Sequence, residues 1–130
     1  MTGLHLIADL YACQCPSDIL LDRERLEQIC VNECNSAGLT PVGAYFHQFT
    51  HDDGQQAGVT GTVVLAESHL AIHTWPETGD VTLDVYVCNF SRDNSDRARG
   101  VFDRVVATLR PGEAVCQDVI RGRVPVESAL

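Results

Sequence analysis

Lysine is missing from this chain of 130 residues, and all nine basic side chains are arginines. That absence excludes the lysine of a phosphate-binding loop, a lysine Schiff base to a substrate carbonyl, and a lysine anchor for pyridoxal phosphate. Amine chemistry through an imine would need a carbonyl from elsewhere. Long apolar runs are missing too, so no stretch approaches membrane-spanning length. No arginine precedes Arg23, which leaves Met1–Tyr11 without the positive start of a secretory signal. These features predict a cytoplasmic protein whose six cysteines are free thiols rather than a disulfide framework. Positive charge is scarce: 18 acidic residues against 9 basic ones give −9 at pH 7. Nucleic acid and anionic membranes are poor partners for such a surface, whereas a cationic small molecule is not.

What is present is the balance of a globular protein, 45% apolar and 21% charged. A chain of this length buries roughly two-thirds of its unfolded surface. No repeat or linker interrupts it, so residues 1–130 read as one domain. Leu4–Tyr11 is a short apolar strand. Asp22 is placed to cap a helix that runs to about Ala37 and stops at Gly38, with Leu26, Ile29 and Cys30 on its buried stripe. Val42–Phe49 is rich in β-branched and aromatic residues and precedes a turn at His51–Gly54. Val59–Ala66 and Leu70–Thr74 read as two further strands. Val81–Cys88 alternates cleanly, with Val81, Leu83, Val85 and Val87 on one face and Cys88 on the more polar one. Asn94 or Ser95 caps a second helix, whose apolar positions from Ala98 to Leu109 keep the helical period, and Pro111-Gly112 end it. Ala114–Ile120 forms a last strand. Four consecutive strands with short connections predict an α+β fold. The expected architecture is a two-layer α/β sandwich, an antiparallel sheet with two helices on one face. The other face must be wet or covered by a second subunit.

Chemistry concentrates in Glu67-Ser68-His69-Leu70-Ala71-Ile72-His73-Thr74-Trp75-Pro76-Glu77, which holds the chain's single tryptophan. Serine beside histidine suggests a hydrolase nucleophile, but no Gly-x-Ser-x-Gly elbow surrounds it. His69 and His73 have the spacing of a helical zinc pair, yet the segment reads as strand and no third ligand is near. Cys13-x-Cys15 with Cys30-x3-Cys34 could in principle make a four-thiolate zinc site, although neither spacing is that of a zinc knuckle. A polar strand end beside a turn is the plain alternative.

Glu-Ser-His-x-x-x-His-Thr-Trp-Pro-Glu, followed by Asp84-Val-Tyr-Val-Cys88, resembles the prokaryotic S-adenosylmethionine decarboxylase proenzyme family. The likeness extends to the opening strand Gly3–Tyr11, to Phe46-His47-Gln48-Phe49 and to Arg121-Gly122-Arg123. It implies self-cleavage between Glu67 and Ser68 into a β chain of residues 1–67 and an α chain of residues 68–130. The Ser68 hydroxyl would attack the Glu67 carbonyl, and elimination and hydrolysis would leave a pyruvoyl group at position 68. That ketone would form a Schiff base with the substrate amine and take up the electrons released with CO₂, without pyridoxal phosphate or metal. A chain without lysine is compatible with this route.

The resemblance also implies individual roles. His73 would accept a proton during processing, for which imidazole is suited, and Cys88 would return one to the decarboxylated carbon. Phe49 and Trp75 would help build the substrate pocket, where a π-face can stack a purine and attract a sulfonium. Glu77 and Asp9 are further candidates for substrate binding. Thr60 stands where relatives often carry a serine that assists processing, and Asp9 where glutamate is commoner. Thr50–Gly58 is longer and more polar than in compact relatives and receives no role. A symmetric homodimer with sites at or near its interface is expected. The reaction would supply aminopropyl groups for spermidine and polyamine synthesis. Ornithine or arginine decarboxylation on the same scaffold, and a non-catalytic binding or regulatory homologue, are the alternatives.

Overall fold

A computed structural model of the chain describes residues 1–124; the end of the expected α chain, 125–130, lies outside the described residues. Six strands form one antiparallel sheet: β1 (Thr2–Tyr11), β2 (Pro41–Thr50), β3 (Gln56–Leu65), β4 (Ser68–Trp75), β5 (Asp80–Cys88) and β6 (Glu113–Gly122). Their order across the sheet is β2-β3-β4-β5-β1-β6. Three helices, α1 (Ser17–Leu21), α2 (Arg23–Ser36) and α3 (Ser95–Leu109), pack on one face. None is long and apolar enough to cross a membrane.

Alternation along the strands decides which face the helices take. Leu4, Leu6, Ala8 and Leu10 of β1 and Val81, Leu83, Val85 and Val87 of β5 are buried against Leu26, Cys30, Val101 and Val105 of α2 and α3. Full burial of one such Leu or Val side chain contributes roughly 1.5–3 kcal/mol. The residues between them, including His5, Asp9, Thr82 and Asp84, turn to the opposite face, where no helix lies among the described residues.

The expected two-layer architecture is present, with corrections at its ends. The third helix, α1, has five residues and follows Pro16; one and a half turns are too short to leave a periodic signal. The α2 cap is as expected: Asp22 accepts the Glu24 N–H at 3.0 Å, and Gly38 follows the helix at φ 86°. Asn94 precedes α3, but its side chain is committed to the β5 end, donating to the Cys88 carbonyl at 3.1 Å. Asp93 takes the Ser95 N–H instead, at 2.9 Å, which lowers the Asp93 pKa. β4 starts at Ser68 rather than Leu70, because a loop of only Ala66-Glu67 joins it to β3.

Candidate active site

The sheet holds two groups of the residues singled out above, at opposite ends of β4. The first surrounds the β3–β4 hairpin tip. Leu65 pairs with Ser68 across the two-residue loop, and Glu67 adopts φ 62°. A side chain in that left-handed region costs about 1–2 kcal/mol. Ser68 opens β4 with its side chain turned toward the helices and buried. Its Oγ accepts the backbone N–H of Cys88 at 3.4 Å. Cys88 closes β5 opposite Gly3, half-buried on the outer face, as the alternation predicted. Ser91, in the loop after β5, donates to Glu67 Oε2 at 3.4 Å. The side chains of Glu67 and Ser68 are thus contacted from the loop after β5 and from β5 itself.

The second group lies at the far end. Thr60 on β3 is paired with His73 on β4, and its Oγ1 is 2.9 Å from His73 Nδ1. Phe49, His51, Thr60, His73, Trp75 and Glu77 line a cavity of about 390 Å³. The His73 and Trp75 rings stack with centroids 6.3 Å apart. On the other side of Trp75 and Glu77 a second cavity of about 440 Å³ takes in Asp9, Tyr11 and Thr82. Buried Thr74 fixes this end: it donates to the Leu20 carbonyl at 2.8 Å and accepts the Val59 N–H at 3.0 Å, tying β4 to α1 and β3. Thr50–Gly58, which had no role by sequence, supplies His51, Ala57 and Gly58 to the cavity wall.

Glu67, Ser68 and Cys88 thus come together, as do Thr60, His73, Phe49, Trp75 and Glu77, with Asp9 in the adjoining cavity. The two groups do not meet within the chain. Five residues of extended strand separate Ser68 from His73, about 16 Å at the usual rise, and their side chains take opposite faces.

Between the two groups on the outer face sits a cluster that sequence reasoning missed. Asp84 Oδ1 is 3.1 Å from His5 Nε2 and 3.3 Å from His69 Nε2. Arg121 Nη1 donates to His5 Nδ1 at 3.0 Å, and its guanidinium lies 5.5 Å from the Tyr86 ring centre. Asp84 and Tyr86 were visible as the polar face of β5. His5 joins them only through the β1–β5 pairing, across 79 positions of sequence. The zinc readings fare differently. Along a strand His69 and His73 stand about 13 Å apart and cannot share an ion. The four cysteines do not converge; among the described residues His5, His69 and Asp84 are the set with three candidate ligand atoms close together. Burial pushes Cys13 and Cys34 up to about 11 and Cys30 higher still, keeping these thiols protonated near neutral pH.

The S-adenosylmethionine decarboxylase family model matches residues 4–122, nearly the whole sheet and all three helices. The chain belongs to that family. It is similar to the S-adenosylmethionine decarboxylase proenzyme of Picrophilus torridus, 38% identical over 92% of this chain and 84% of the relative. The proenzyme of Aquifex aeolicus is 37% identical over 97% of this chain and 85% of its own. A crystal structure of the adenosylmethionine decarboxylase from Aquifex aeolicus superposes with a TM-score of 0.81 at 33% identity, covering 95% of this chain and 93% of the other. Family membership thus agrees with the resemblance read from the Glu67–Glu77 segment, and with the α+β sandwich expected from the strand and helix pattern.

Proposed function

We propose that the chain cuts its own Glu67–Ser68 bond and that the processed protein decarboxylates S-adenosylmethionine in the cytoplasm, supplying aminopropyl groups for spermidine and other polyamines. The observation that carries this reading is the hairpin tip, where Ser68 Oγ accepts the Cys88 backbone N–H directly after a Glu67 held at positive φ. The relatives' designation as proenzymes supports it.

The cut begins when Ser68 Oγ attacks the Glu67 carbonyl carbon. The peptide C–N bond breaks, an ester forms, and the residue 68 amine is released. A base then removes the residue 68 α-proton, and the Cβ–Oγ bond breaks with the Glu67 carboxylate as leaving group. Water replaces the nitrogen as ammonia departs. The resulting pyruvoyl group supplies the ketone that engages the substrate amine and accepts the electrons released with CO₂. Ser68 fits this origin because its hydroxyl and the bond to be broken share a tight turn. Cys88, whose backbone N–H reaches Ser68 Oγ from the neighbouring strand, is the proposed source of the proton returned to the substrate carbon.

His73 is the proposed base for the α-proton, with Thr60 orienting its ring through Nδ1. About 16 Å of strand separates it from Ser68 in its own protomer. The reading therefore calls for a homodimer in which the uncovered sheet faces meet and the partner's His73 serves Ser68. The cavity beside His73 suits the substrate: about 390 Å³ with aromatic walls from Phe49 and Trp75 and a carboxylate from Glu77. Those aromatic walls favour an adenosyl sulfonium over ornithine or arginine, which offer no ring to stack. Intact-mass measurement should find chains of 67 and 63 residues (130 − 67 = 63), the shorter carrying pyruvoyl. The processed protein should release CO₂ from S-adenosylmethionine and not from ornithine or arginine, and Ser68→Ala should stay one inactive chain. An uncut wild type with full activity would remove the mechanism.

A further inference from the structure

His5, His69 and Asp84 have a metal-like donor set, but their hydrogen bonding argues otherwise. A guanidinium only donates, so the Arg121 contact at 3.0 Å requires an unprotonated Nδ1 on His5. The ring proton then sits on Nε2 and points at Asp84 Oδ1, 3.1 Å away. The atom a metal would need is thus occupied by a proton. Asp84 Oδ1 accepts from His5 on one side and lies 3.3 Å from His69 Nε2 on the other. Tyr86 packs its ring against both imidazoles, with centroids 5.6 Å and 5.7 Å away. The result is a row of side chains on the outer face, hydrogen-bonded from Arg121 on β6 through His5 on β1 to Asp84 on β5 and extended to His69 on β4 by the 3.3 Å Asp84–His69 contact.

Its last member is the residue directly after Ser68. While the chain is intact, residue 68 is held from both sides, by Glu67 in the hairpin and by β4. After the cut proposed above, position 68 becomes a free chain start, and His69 is the first side chain behind it. We propose that Asp84, backed by His5 and Arg121, clamps His69 and that this clamp is the positioning device for the reactive end of the α chain. His69 is a positioning residue, not a proton carrier. The inference rests on the self-cleavage reading, and it divides the two steps. Processing tolerates loss of the clamp, because the hairpin still holds residue 68. Turnover does not, because a misplacement of about 1 Å at a reacting centre can cost on the order of 10²-fold.

The test uses full-length protein. His69→Ala and Asp84→Asn should still yield two chains on a denaturing gel, with kcat for S-adenosylmethionine reduced roughly 10- to 100-fold and KM little changed. His69→Gln keeps an N–H donor able to reach Asp84 and should recover most of the lost kcat. Melting temperatures of the processed variants separate a loosened site from a loosened fold. Wild-type kcat in His69→Ala would overturn the clamp, as would loss of cleavage in that variant, or failure of His69→Gln to rescue a well-folded enzyme. Stoichiometric zinc in the purified wild type, lost in Asp84→Asn, would replace the clamp with a metal site. A wild type that neither cuts itself nor releases CO₂ would overturn the self-cleavage reading as well, a result distinct from any of these.

Discussion

Glu67 occupies a backbone conformation that favours glycine, on the acyl side of the bond proposed to break. Glycine there would relax the turn, whereas alanine would keep the strain and remove only the carboxylate and its Ser91 contact. In a Ser68→Ala background, Glu67→Gly should therefore melt above Glu67→Ala. With Ser68 present, Glu67→Gly should cut itself more slowly, by at most roughly 5- to 30-fold if the whole 1–2 kcal/mol is released on the way to the ester. A time course of chain separation on a gel compares the two, and equal rates would mean that the strain is not released before the slow step. Trp75 tests the other end of β4. Its ring walls both cavities, so Trp75→Ala should raise KM for S-adenosylmethionine about 5- to 100-fold if it stacks the adenine. Steady-state kinetics on processed protein reads this directly.

At the scale of elements, β3 is shaped by one missing side chain. Gly61 pairs directly with Phe46 of β2, and a Cβ built at position 61 would overlap the Phe46 ring. Phe46 is the buried aromatic that closes this end of the core. Gly61→Ala should cost about 1–3 kcal/mol in urea unfolding of the Ser68→Ala precursor, as overpacked cores do. The elements legible in the sequence were those whose pattern is local: β5 from its strict alternation, α2 from its Asp22 cap and Gly38 stop, and α3 from its apolar period. Less was legible where structure depends on distant partners. α1 is too short to show a period and is held by the Thr74–Leu20 bond across 54 positions. Asn94 matched a cap but serves the end of β5. The site shows the same division: the Glu67–Glu77 segment names its chemistry, yet which residues share an end of the sheet follows from strand direction. The Arg121–His5 contact spans 116 positions and left no local trace.

At the scale of the molecule, the outer sheet face carries His5, His69, His73, Asp84, Trp75 and Cys88, with no helix over it among the described residues. If sites are shared across a homodimer, Ser68→Ala and His73→Ala each fail alone for different reasons. Co-expressed, they should restore one site per mixed dimer: the His73→Ala chain keeps its serine and meets an intact histidine, whereas the Ser68→Ala chain stays whole. Mass spectrometry should then find cut His73→Ala chain that is absent when this variant is made alone. No cut chain in verified mixed dimers would place both groups in one protomer. The strand order has a further consequence once the hairpin is severed. Residues 1–67 hold β1, β2 and β3, the remainder holds β4, β5 and β6, and the order β2-β3-β4-β5-β1-β6 interleaves them. Three of the five seams of the sheet, β3–β4, β5–β1 and β1–β6, join one fragment to the other. An unfolded precursor can refold alone, at a rate that does not depend on concentration. Two unfolded fragments must first find each other, and dilution works against them. If the proposed cut takes place, folding as a single chain is open to the precursor and closed to the processed protein.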